Sequence, residues 1–124
     1  APTDLARQQA FAGIRGEFAA IAARRDCPIT ITPLWEAATT ICDDDLQRQL
    51  AAAIEAEGIV SHLLPSGAGH DGMAIVAIAP VAMLFLRCIG GISHNPAEAV
   101  REDDVGTGAR VLLRFIEQFQ PPRR

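Results

Sequence analysis

A chain of 124 residues with 49% hydrophobic side chains is globular material, long enough for one domain with a modest core. Its net charge of -4 argues against a nucleic-acid binder, which displays a basic face. Cys27, Cys42 and Cys88 stand far apart with no C-x-x-C, which fits free thiols in a reducing compartment and not a disulfide scaffold. The longest apolar run, Met73 to Leu86, is interrupted by Pro80 and falls short of the roughly 18 residues a spanning helix needs, so no membrane partner is expected. With no secretory leader legible, the expected location is cytoplasmic.

Along the chain, Thr3 is placed to cap a helix starting at Asp4, and Phe11, Ile14, Phe18 and Ile21 recur on one face of it. Asp26-Cys27-Pro28 ends that helix, after Arg24-Arg25 at its carbonyl end. A second basic doublet, Arg123-Arg124, closes the chain. Ile29 to Leu34 is a β-branched stretch, with Ile29, Ile31 and Pro33 on one parity and Thr30, Thr32 and Leu34 on the other; it predicts a strand, with Pro33 marking an edge or bulge. Asp43-Asp44-Asp45 gives a second helix an acidic start; Leu46, Leu50 and Ile54 form its stripe and Gly58 stops it. The three aspartates lack the alternation, central glycine and closing glutamate of a calcium loop.

Ile59 to Leu64 is a short apolar piece, followed by the turn Pro65-Ser66-Gly67-Ala68-Gly69. His70 to Ile78 continues as a helix, and Val81 to Leu86 predicts a buried, central strand. The last helix starts near Glu102-Asp103, with Val105, Ala109, Leu112, Ile116 and Phe119 as its buried stripe and Pro121-Pro122 as its stop. Gly106 and Gly108 each weaken that helix by about 1 kcal/mol relative to alanine unless something packs closely there. Helices and strands thus alternate, which predicts an α/β fold, a mixed sheet with helices packed on it. The change in character near Gly58 to Ser66 marks a boundary between two structural parts.

Two loops carry the residues with chemistry to offer. His94 lies in Gly90-Gly91-Ile92-Ser93-His94-Asn95-Pro96-Ala97-Glu98, where paired glycines allow a tight turn and Pro96 stiffens the loop after the histidine. Such a loop holds an imidazole at a fixed angle, as a zinc ligand requires, although a lone loop histidine is more often not a ligand. Glu98 is placed either as partner of an imidazole N–H or as a helix cap. His70, after three small residues at the start of an apolar helix, either faces an anion such as a carboxylate or bonds only its own loop. Asp71 fits as a helix N-terminal charge, and His62 has no supporting residues and reads as structural. Ser66 lacks the strand-to-helix elbow of a nucleophile. Cys88 reads as a buried thiol at a strand end, since nothing near it in sequence activates it.

Pro65-Ser66-Gly67-Ala68-Gly69-His70-Asp71 and Gly91-Ile92-Ser93-His94-Asn95-Pro96-Ala97-Glu98 together resemble the C-terminal motifs of the M20-type amidohydrolases. Within that group they are similar to N-carbamoyl-L-amino-acid hydrolases and allantoate amidohydrolases. Both motifs occur in the family's order and near its spacing; one departure is Gly72, where the family usually has alanine. The resemblance implies an enzyme with two divalent ions, usually zinc, that hydrolyses carbamoyl or ureido groups of small carboxylated substrates. It matches His94 to a metal ligand, and Gly69 and His70 to substrate-binding positions. It also implies a homodimer. Residues 1–42 correspond to the end of the inserted lid or dimerisation domain, and residues 43–124 to the C-terminal part of the catalytic domain. The family's H-x-x-x-x-D ligands, catalytic glutamate, bridging acid and lid-domain arginine and asparagine have no counterpart here. The chain is therefore expected to be the C-terminal portion of such an enzyme, inactive alone and dependent on a missing N-terminal catalytic part. A non-catalytic association module and a related M20 aminoacylase or dipeptidase are the alternatives.

Overall fold

Thr3 meets the first backbone donors of a long helix: its hydroxyl accepts from the Ala6 N–H at 3.2 Å, and α1 runs Asp4–Arg25. The structure, a computed structural model, describes residues 3–121; Pro122 and the Arg123-Arg124 doublet lie outside them. Helix α1 ends where Asp26 turns left-handed (φ 49°) and the N–H groups of Asp26 and Cys27 both reach the Ala22 carbonyl. Two backbone donors are thereby satisfied as the helix stops. No residue of α1 is buried, and Phe11, Ile14 and Phe18 of its apolar stripe are all exposed.

The chain divides into two units. One takes in the chain up to Thr40 together with Pro65–Ala68; the other comprises Ile41–Leu64 and the chain from Gly69 onward. In the first, the Asp4 carboxylate accepts from the Arg7 guanidinium at 3.1 Å and from the Thr39 N–H at 2.7 Å, while Arg7 also reaches Glu36 at 2.7 Å. The Thr39 bond first, and Arg7 second, hold the Asp4 carboxyl below the usual carboxylate range. This polar knot fastens the segment before Thr40 to the start of α1.

The second unit carries the core. Helix α2, Asp44–Glu55, is capped by Asp43, whose side chain accepts from the Leu46 N–H at 2.9 Å. After it, Gly58 takes a positive φ of 75° that would strain any other residue. A short helix α3 spans Gly72–Ile75, and α4 spans Glu102–Glu117 with three acidic residues in its first turn. Helices α2 and α4 pack on each other and bury Leu50, Ala53, Gly108 and Val111. Two polar clasps flank that seam. Glu57 accepts from Arg110 at 2.9 Å and Arg114 at 3.0 Å, and Gln49 exchanges two bonds with the backbone of Gln120 at 2.8 and 2.9 Å.

The expected mixed sheet is not there. Among the described residues the sole β pairing is one antiparallel bridge, Cys88 to Val100. Ile29 to Leu34 and Val81 to Leu86 carry no regular secondary structure and no ladder, and their large side chains remain at least partly accessible. An apolar run becomes a strand only when a neighbour supplies backbone donors and acceptors along its length, and no described segment does so. Val81 to Leu86 is instead tied at its ends. The Asp43 N–H donates to the Val81 carbonyl at 2.8 Å, and Leu86 lies over Gly108 so closely that an added methyl there would meet Leu86 Cδ2 at 2.4 Å. Arg87 then pairs with Asp104 of α4. The close packing that would justify a glycine in this helix is thus present at Gly108.

Two further expectations change. His70 to Ile78 forms only the single turn α3 and the turns after it. In α4 the buried line is Gly108 and Val111, with Asp104 and Phe115 half-buried; Val105, Ala109, Leu112, Ile116 and Phe119 are exposed. The helix is apolar on two adjoining stripes, and the buried one contains the glycine, over which Leu86 lies.

Candidate functional site

The loop between Cys88 and Val100 is closed at its base by their bridge and by the Ile89 N–H donating to the Ala99 carbonyl at 2.8 Å. A single 3-10 turn, Ile89–Gly91, comes next, and Gly90 and Gly91 take φ of 67° and 68°. These two positions need glycine. His94, at the far side of the loop, is also left-handed, with φ 56°. Its N–H donates to Glu98 Oε2 at 2.8 Å. Asn95 closes the turn between them: its side chain accepts from the Ala97 N–H at 2.9 Å, and its carbonyl accepts from the Glu98 N–H at 2.9 Å. Glu98 Oε1 faces Cys88 Sγ at 3.7 Å.

Glu98 therefore does neither thing the sequence led us to expect. It bonds the backbone of His94, not its imidazole, and it does not cap α4, which begins at Glu102. The His94 ring is exposed, and neither ring nitrogen has a hydrogen-bond partner among the described residues. Cys88 is half-buried; burial first, and the neighbouring Glu98 charge second, push its thiol above the ordinary range. A thiol so raised is a poor nucleophile at neutral pH.

At the other loop, His70 folds back over the start of α3, and its Nδ1 accepts from the Gly72 N–H at 3.0 Å. A neutral ring so bonded carries its proton on Nε2. Gly72 is what allows this: a methyl group there would meet His70 Cε1 at 2.6 Å and Nδ1 at 2.9 Å. At Gly69 an added methyl would touch only Met73 Sδ, at 3.5 Å, so its backbone lies open to approach. With α3 reduced to one turn, the case for anion binding at a helix start disappears, and Asp71 makes no capping bond. The Ser66 hydroxyl donates to the Ala68 carbonyl at 3.2 Å, a loop bond. His62 is exposed.

His70 also lines an apolar cavity of about 620 Å³ bounded by Leu46, Leu50, Leu112 and Phe115 of the helices, by Phe119 just past the end of α4 and by residues 79–84. His94 is not among its lining residues. Nor do the described residues contain any group of three or more His, Cys, Asp or Glu side chains able to hold a metal. The His94 imidazole has the right donor chemistry for a divalent ion, but it is one donor where a bound ion needs several.

The chain belongs to the peptidase family M20/M25/M40, whose family model matches residues 2–118. Among named relatives it is 38% identical over 124 residues to allantoate deiminase 2 of Glycine max, covering 94% of this chain and 26% of that protein. It is 34% identical to N-carbamoyl-L-amino acid amidohydrolase of Geobacillus stearothermophilus, covering 91% of this chain and 28% of that one. With allantoate amidohydrolase of Escherichia coli (strain K12) it shares 30% identity, over 86% of this chain and 26% of the relative. The chain spans about a quarter of the length of these curated relatives. Among the described residues no helix is long and apolar enough to cross a membrane.

Proposed function

We propose that this chain is the C-terminal portion of a metal-dependent amidohydrolase that cleaves the C–N bond of N-carbamoyl or ureido groups on small carboxylated substrates of the allantoate or N-carbamoyl-L-amino acid kind. The observation that carries the reading is the His94 loop, an imidazole with both nitrogens free, held up on a closed loop in a chain whose relatives are named as deiminases and amidohydrolases. His94 supplies one ligand of a divalent ion, and the remaining ligands come from elsewhere in the whole protein. When bound, such an ion activates water for attack on a carbonyl carbon. His70 offers its Nε2–H, and Gly69 its uncrowded backbone, to the polar groups of the substrate. The open apolar stripes on α1 and α4 are surfaces for the rest of the protein, or a second copy, to cover. Alone, the chain is inactive.

The test is amide hydrolysis by the whole protein, with allantoate and an N-carbamoyl-L-amino acid offered in parallel and metal content measured beside it. Turnover of either substrate that falls at least ~100-fold in His94→Ala, with metal lost, supports the reading. Unchanged turnover and metal in that variant would refute it.

A further inference from the structure

We propose that Glu98 is the positioning residue for His94. Its carboxylate holds the His94 backbone in the left-handed conformation and so aims an imidazole that it never touches. The inference rests on the reading of His94 as a metal ligand.

The geometry is specific. Only two non-glycine residues among those described have positive φ, Asp26 and His94. Asp26 is at a helix end, where the helix's own terminal bonds support the turn. His94 has no helix to lean on. A side chain with a Cβ is disfavoured in that region, so something must hold it there. The Glu98 carboxylate oxygen accepts from the His94 N–H at 2.8 Å, a bond that reaches across four residues. The Asn95 turn returns the chain so that Glu98 faces His94, and Pro96 removes one way for that turn to relax. The second carboxylate oxygen rests against Cys88 Sγ, at the base of the loop. Glu98 thus links the loop's base to its far side, and the His94 ring is left without any bond to the described residues.

An imidazole with no partner of its own turns among the rotamers of χ1 and χ2, and its backbone sets where that turning starts. The direction of the His94 Cα–Cβ bond, and with it the region the ring nitrogens can reach, then depends on the φ that Glu98 holds. Such indirect support has a distinct signature. It depends on the reach of an acceptor oxygen, not on its charge.

The test uses the whole protein with zinc as probe. Zinc affinity is measured by chelator competition in Glu98→Gln, Glu98→Asp, Glu98→Ala and His94→Ala. In parallel the His94 amide resonance is tracked after selective 15N-histidine labelling and identified by its loss in His94→Ala. Glutamine keeps an acceptor oxygen at the same reach; aspartate keeps the charge but is one methylene short. Glu98→Gln is expected to stay within about 3-fold of the parent affinity, and Glu98→Asp and Glu98→Ala to fall roughly 10- to 100-fold. The His94 amide proton should move upfield in the latter two and hold its place in glutamine. The reverse order, aspartate retained and glutamine lost, would overturn the inference and assign Glu98 an electrostatic role. Parent affinity and an unmoved amide in Glu98→Asp would overturn it also. Zinc fully retained in His94→Ala would defeat the ligand reading itself, a different failure visible in a different variant.

Discussion

Gly106 and Gly108 sit two residues apart in α4, and the structure assigns them opposite responses to alanine. At Gly106 an added methyl comes no nearer than 3.8 Å to Arg110 Nη1, so the substitution gains the full helix-propensity difference, about 1 kcal/mol. At Gly108 the same methyl would lie 2.4 Å from Leu86 Cδ2 and 3.5 Å from its Cγ, so Leu86 must move off the helix. Leu86 is 40% exposed where it lies, so a little over half of the roughly 2 kcal/mol that burying a leucine contributes is at stake, about 1 kcal/mol. The propensity gain and the packing loss cancel. Amide hydrogen exchange in α4 reads both terms: Gly106→Ala should slow it about 5-fold and Gly108→Ala should leave it nearly unchanged. In a Leu86→Ala background the gain at 108 should return, giving a coupling of about 1 kcal/mol. Equal slowing by both alanines in the parent chain would refute the reasoning, because Leu86 could not then lie over Gly108.

Three other outcomes come from the packing and the charges. Val111→Ala removes atoms from a side chain only 2% exposed and should destabilise α4 by about 2 kcal/mol, against less than about 0.5 kcal/mol for Ile116→Ala at 68% exposure; urea unfolding gives the ranking. Gly72→Ala should drive the His70 ring off the Gly72 N–H, seen as a change in the 15N shifts of its ring nitrogens in NMR spectra, because the new methyl occupies the imidazole's space. Hydrogen bonds from Arg110 first and Arg114 second lower the Glu57 carboxyl below its usual range. Its contribution to the α2–α4 seam is therefore complete above the ordinary glutamate pKa and lost as pH falls through the lowered folded value. In Glu57→Gln, acid unfolding monitored by circular dichroism should lose the part of its pH dependence that falls in that window.

Helix ends were legible in the sequence because caps are local chemistry: Thr3, Asp43 and Gly58 each act on groups within a few residues. Strands were not, since the β-branched stretch of Ile29 to Leu34 and the apolar run of Val81 to Leu86 state only a preference. A ladder needs a partner far along the chain, and the described residues offer one bridge. The α4 stripe was misassigned for a related reason. Periodicity shows that a helix is amphipathic, but a helix apolar on two stripes does not say which one its neighbour takes. Of the candidate site, the two histidine loops were visible as small residues around an imidazole. The direction of the Glu98 bond was not, because spacing brings a carboxylate near His94 without choosing between ring and backbone.

The two stripes of α4 carry a consequence for how the helix finds its seat. Leu112 and Ile116 lie roughly a quarter-turn around the helix from Val111 and Phe115, so grease alone would let the cylinder roll between two nearly equivalent resting positions. Gly108 breaks that tie. It is a notch on one side only, shaped for the end of one leucine, and a roll of a quarter-turn would take the notch away from Leu86. A missing methyl group thereby serves as the key that fixes the angle of a sixteen-residue rod.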